Sequence, residues 1–400
     1  MSTSDNNAPA FDAENPGHWK LELLLSGLSI PADLAEEFEM ATGVPVTQRL
    51  LLELPRDVLC LAYTHVESAD DPASPFRVQL VASDEGWRLR RGELETPVTV
   101  RPPIETEMWG RVIRIDDYVI CDLSDREWGG RFRSHYGLRL EHTQSAPRTA
   151  DPLLDAIESV ARRRTLRGVH VIAYEDPSLP DAKMPLVRLA PTFHAIHRNF
   201  ACALTFEGYP PDGVAAIETA YAGGADQLAF HFGGDPWRSE DEKEHLPARR
   251  YENALHAARE VFESGALKSA LFFSASGADG GTASEAKKLL ESGVVPLLWA
   301  GKPWPARDAG EHGWQAAAAL LREVALGFEG AKVNLARVKD RTLQIPPSEL
   351  RFFHPKQKAI IAGLQGAANT GWGRAAQRNL SALRRHLRVR GSGIITGEDE

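Results

Sequence analysis

The sequence predicts an α/β protein: a partial or full (β/α) barrel of about six units, preceded by a small α+β domain and followed by a helical extension. Three observations predict this. Short apolar, β-branched runs alternate with amphipathic segments from about residue 109 to 330. Before them, strand-like runs alternate and turn at Gly92, and Pro102–Pro103 closes the region. After them, the chain is helical and turns basic.

The elements follow in chain order. The leader "MSTSDNNAPAFDAENPGH", residues 1–18, is polar, has no apolar core and reads as disordered, with no signal peptide. Residues 19–108 hold one short helix, "PADLAEEFEMATG", and the runs "RLLLELP", "VLCLAYTHV", "FRVQLVAS" and "GWRLRRGELETPVTVRP", the pattern of an antiparallel sheet. In residues 109–330 the strand candidates are "RVIRIDDYVICDL", "GVHVIAYED", "FACALTFEG", "DQLAFHFGGD", "KSALFFSASG" and "VVPLLWAGKP". Helical segments separate them, and several of those end in Gly, a common C-cap signal. No GxGxxG follows the first strand, which disfavours a Rossmann sheet. Residues 331–400 form a helical extension with Arg374, Arg378, Arg384, Arg385, Arg388 and Arg390, then a mobile tail.

Composition excludes several classes. A net charge of −9 argues against a generic nucleic-acid binder. No apolar stretch is long enough to span a membrane. The 3 cysteines, Cys60, Cys121 and Cys202, are scattered, which fits a reducing cytosol and disfavours a Cys-ligated zinc or iron–sulfur centre. The basic extension is expected to be a solvated face paired with acidic helices; the alternative is a protein partner docking there.

In a parallel barrel, chemistry gathers where the strands end. Those ends carry Asp122, Glu175, Glu207, His231, Asp235 and Lys302, and the loop "SASGADGG" with Ser274, Ser276 and Gly277. Glu207, His231 and Asp235 are the catalytic candidates, as acid–base groups or as part of a metal site with Glu175. Against this stands the plainer reading that each acid caps a helix or pairs with an Arg. The Gly-rich loop offers backbone N–H groups to a ring or phosphate. His194 and His197 lie one turn apart but on a helix expected outside the barrel, so no metal is assigned to them; His170 is read as structural.

The run "YENALHAAREVFESGALKSALFFSASGADGGTASEAKKLLESGVVPLLWAGKP", Tyr251–Pro303, resembles the radical S-adenosylmethionine (SAM) superfamily near biotin synthase, as does "AIETAYAGGADQLAFHFGGD". The resemblance implies that superfamily's partial (β/α)6 barrel. It implies SAM contacts at Glu175, at His231 and at the loop with Ser274, Ser276 and Gly277. The superfamily's three cluster cysteines follow strand one. Here that loop is "SDREWGGRFRSHYGLRLE", without cysteine. No [4Fe-4S] cluster is expected. Arg131, Arg133, His135 and Tyr136, with Lys302, are instead expected to meet a small-molecule substrate, an anionic or flat one suiting them best.

Three functions follow: a cytoplasmic biosynthetic enzyme using SAM or a related ligand in polar group transfer, elimination or cyclisation; a non-catalytic scaffold of a biosynthetic complex; and a metal-dependent barrel lyase or aldolase on Glu175, Glu207, His231 and Asp235.

Overall fold

The computed structural model describes residues 10–42, 49–67, 77–100, 105–106, 112–115, 118–122, 168–174, 177–232, 246–263, 265–273, 280–300, 310–331, 345–347 and 349–355, with single positions in 154–166 and at 376, 379 and 383. It is a mixed α/β fold built on two sheets.

The first sheet holds β1 (Leu28–Ile30), β2 (Arg49–Leu54), β3 (Val58–Val66), β4 (Gln79–Ser83), β5 (Gly86–Arg91), β6 (Leu94–Pro97) and β7 (Thr99–Val100) in the order β6-β5-β4-β1-β3-β2-β7. It is not purely antiparallel. β1 inserts between β3 and β4 and runs parallel to both, while the remaining pairs are antiparallel. A strand of 3 residues, all buried, is too short to show an alternation in sequence.

Helix α1 (Pro16–Ser26) begins inside the span read as a leader. Asn15 caps it by accepting the Gly17 N–H at 3.0 Å, Pro16 supplies a pre-set φ at the first position, and Gly27 ends it at φ 77°. Every residue of α1 is buried. Trp19, Leu21, Leu23 and Leu24 enter the main apolar cluster. The polar members find partners instead. Lys20 Nζ donates to Glu349 Oε2 at 2.6 Å, and Glu22 lies 3.1 Å from Arg91 Nε and 3.4 Å from Arg77. Asn15 Nδ2 donates to the Phe352 carbonyl at 2.7 Å, and His18 packs edge-on to Trp314. Helix α2 (Ala32–Thr42) follows β1 and carries an exposed acidic face.

The second sheet holds β8 (Glu105–Thr106), β9 (Val112–Ile115), β10 (Tyr118–Asp122), β11 (Gly168–Ala173), β12 (Ala203–Gly208), β13 (Gln227–Ala229), β14 (Leu267–Phe273) and β15 (Val294–Ala300) in sequential order. The run "RVIRIDDYVICDL", read as one strand, is the antiparallel pair β9–β10. From β10 to β15 every pairing is parallel. Helices Ala190–Asn199, Val214–Gly223, Ala248–Val261 and Gly280–Glu291 fill the successive connections, and Gly310–Gly330 follows β15. Parallel strands in sequential order need crossovers of one hand, which put the helices on one face. Burial agrees: Val169, Val171, Leu204, Phe206, Leu228 and Leu267 share a cluster with Phe193, Ile217 and Leu255 of those helices. Among the described residues no pairing joins β15 to β8, so a closed barrel is not formed by them.

Of the C-terminal extension, Leu350–Phe352 form a short 3-10 turn against α1, and the basic arginines lie outside the described residues. No helix among the described residues is long and apolar enough to cross a membrane.

Candidate functional site

Strand alternation gives the second sheet a face opposite its helices, and that face is polar. Register sets its rows. His170, Thr205 and Gln227 stand level; one step on, Ile172, Glu207, Ala229 and Lys268 stand level. Thr205, Glu207, Gln227 and Lys268 are all buried. Charged and amide groups remain inside a sheet only when other polar groups meet them.

Glu207 is the centre. Its Oε2 lies 2.8 Å from His170 Nε2, and its Oε1 lies 3.3 Å from His231 Nε2. Tyr174 Oη donates to Oε1 at 3.1 Å. His231 is fixed from its other side, where Nδ1 accepts the Ala270 N–H at 2.8 Å. The strand around it is pinned as well: the Phe230 N–H donates to the Lys268 carbonyl, and the Phe232 N–H to Ser269 Oγ. Ile172, Tyr174, Met184, Tyr209 and, from the first sheet, Leu59 form a second apolar cluster beside this group, with Tyr174 and Tyr209 edge to face at 5.0 Å.

The electrostatics follow from these contacts. Burial alone would push the Glu207 carboxyl up. The attraction of His231, hydrogen bonds from both imidazoles and the attraction of His170 outweigh it and hold the carboxyl well below its ordinary value. The Ala270 contact sharpens that account. An Nδ1 that accepts a hydrogen bond carries no proton, so His231 is a neutral ring with its proton at Nε2, facing Glu207.

This wiring bears on a metal. A histidine bound to metal through Nε2 keeps a proton on Nδ1 and donates it to a second partner. His231 has the reverse arrangement, and among the described residues no group of three His, Cys, Asp or Glu side chains is placed to hold a metal ion.

The structure thus brings together two expected residues, Glu207 and His231. The others, Asp235, Glu175, Ser274, Ser276, Gly277, Arg131, Arg133, His135, Tyr136 and Lys302, lie outside the described residues. His170, read as structural and as preceding its strand, sits inside β11 and joins Glu207. Tyr174, Lys268, Thr205 and Gln227 were missed. The signal was available for His170 and Tyr174: a histidine and a tyrosine four apart in a strand share one face. Finding Lys268 needed the register. His194 and His197 lie on helix Ala190–Asn199, packed against Val214–Gly223 and away from the cluster.

The cysteines are kept apart. Cys60 is buried in β3 of the first sheet, where burial pushes its thiol up to about 12. Cys121 is level with Val171, whereas Cys202 precedes the level of Gly168, a separation of about 13 Å along the strands at ordinary rise.

Searched against family models and curated proteins, the sequence matches none.

Proposed function

We propose that this protein is a biosynthetic enzyme that uses SAM or a related ligand in polar group transfer, elimination or cyclisation, on a partial (β/α)6 barrel of radical SAM type without an iron–sulfur cluster. One observation carries the enzymatic part. A carboxylate held ionised between two imidazoles and a phenol, on the face of a parallel sheet that the helices leave uncovered, is more than packing requires. The resemblance of Tyr251–Pro303 supports SAM. Its helix, strand, helix and strand are formed in that order as Ala248–Val261, β14, Gly280–Glu291 and β15.

Glu175 lies two residues past the end of β11, and Ser274 directly follows β14. Three strand spacings and a stagger of about four residues separate those ends, about 20 Å in all. Bound there, SAM would supply an electrophilic carbon at its sulfonium. Glu207 and His231 would orient and balance charge, and Arg131, Arg133, His135, Tyr136 and Lys302 are the proposed substrate contacts.

Thermal denaturation with and without SAM tests this reading. Binding at a hundred times the dissociation constant should stabilise the fold by about 2.7 kcal/mol. A shift with SAM that survives a chelator supports the proposal. A shift only with divalent cations supports a metal-dependent lyase, and no shift with either supports a scaffold.

A further inference from the structure

We propose that His170 is the proton-accepting residue of this site, through Nδ1, and that Glu207, His231 and the Ala270 amide form a fixed device that positions it. The inference rests on the reading of the polar face as an active site, but not on SAM as its ligand.

Glu207 is 1% exposed and has polar neighbours within 3.3 Å of both oxygens. His231 is 1% exposed, with Nε2 facing Glu207 and Nδ1 accepting a backbone N–H. Neither presents a lone pair to a substrate. His170 differs. Its side chain is 16% exposed, and its Nε2 at 2.8 Å from an ionised carboxylate must carry the proton. A neutral ring protonated at Nε2 has a bare Nδ1, and among the described residues nothing hydrogen-bonds that atom.

This is the arrangement in which a carboxylate selects a tautomer and balances the imidazolium that forms. In the step itself, a proton leaves a C–H, O–H or N–H of the substrate for His170 Nδ1. The electron pair stays on the substrate atom, and the new positive charge lies against Glu207. The substrate class is a small molecule that becomes reactive on losing a proton. Tyr174 and His231 keep Glu207 from turning away, so they are positioning residues. Lys268 stands in the same row as Glu207, two strands away, and belongs to the same polar face.

The test needs no substrate. In full-length, ligand-free protein labelled with 15N-histidine, the neutral form of His170 should be the Nε2–H tautomer with a bare Nδ1. His170→Gln identifies the signal by its loss. An Nδ1–H tautomer of the neutral ring overturns the proposal. Diethyl pyrocarbonate supplies a second readout, by site-resolved mass mapping. His170 should be acylated while His231 is not, and Glu207→Gln should slow acylation of His170 about threefold to tenfold. A purely structural His170 would stay unmodified while exposed His194 reacts, and that result also overturns the proposal. If SAM fails to bind yet His170 behaves as described, the ligand assignment falls and this inference stands.

Discussion

Glu207 shows how one side chain can be structural in its contacts and chemical in its consequences. Tyr174 donates to it and two imidazole nitrogens lie against it, so removing it strands polar groups in a buried place. Glu207→Ala should cost about 2–4 kcal/mol in urea denaturation. Tyr174→Phe, which deletes one donor and keeps the ring, should cost about 1 kcal/mol. A Glu207→Ala protein as stable as the parent would show that the cluster is loosely held. The pH dependence has a definite sign. The carboxyl is depressed on folding, so its contribution is present above the ordinary carboxyl range and lost as pH falls below it. Glu207→Gln should flatten the acid side of the stability curve, and equal acid slopes for both proteins would refute the assignment.

At the scale of elements, α1 carries the most consequence. It is buried on all sides and joins the first sheet to helix Gly310–Gly330 and to the turn at Leu350–Phe352. Lys20→Met leaves the buried Glu349 carboxylate without its 2.6 Å partner and should cost about 3–5 kcal/mol. Gly17 tolerates no side chain, because a Cβ there would stand 2.5 Å from Phe352 Cβ. Glu22 makes this helix sensitive to pH. Burial pushes its carboxyl up to about 7, against the pull of Arg77 and a hydrogen bond from Ser26, with Glu311 adding to the rise. A value raised on folding means the contribution is full below the ordinary carboxyl range and lost as pH rises through about 7. Between pH 5 and 8 the stability difference should therefore move in favour of Glu22→Gln by up to about 3 kcal/mol. A difference independent of pH would show Glu22 to be ionised throughout.

For the whole molecule, a shared core decides cooperativity. Trp19 and Leu52 of the first unit, Phe206 and Leu271 of the second sheet, and Trp314 and Phe352 belong to one buried cluster. Arg77 and Arg91 reach from the first sheet to Glu311 as well. Calorimetry should therefore record a single unfolding transition. Two separated transitions would mean that the units hold together only weakly.

The sequence by itself determined the kind of fold and the identity of most strands. Alternation in "GVHVIAYED" and continuous apolar runs such as "VVPLLWAGKP" are local patterns, and local patterns are written in neighbouring residues. It also showed that Glu207 and His231 belong near strand ends. Only the tertiary structure decided which polar residues meet. His170 and Glu207 are far apart in the chain and become neighbours through the register of β11 and β12. The same holds for Lys20 and Glu349, and for the burial of α1, which a polar-looking leader concealed. Pairing across strands and burial between units depend on every element at once, so no short stretch of sequence can carry them.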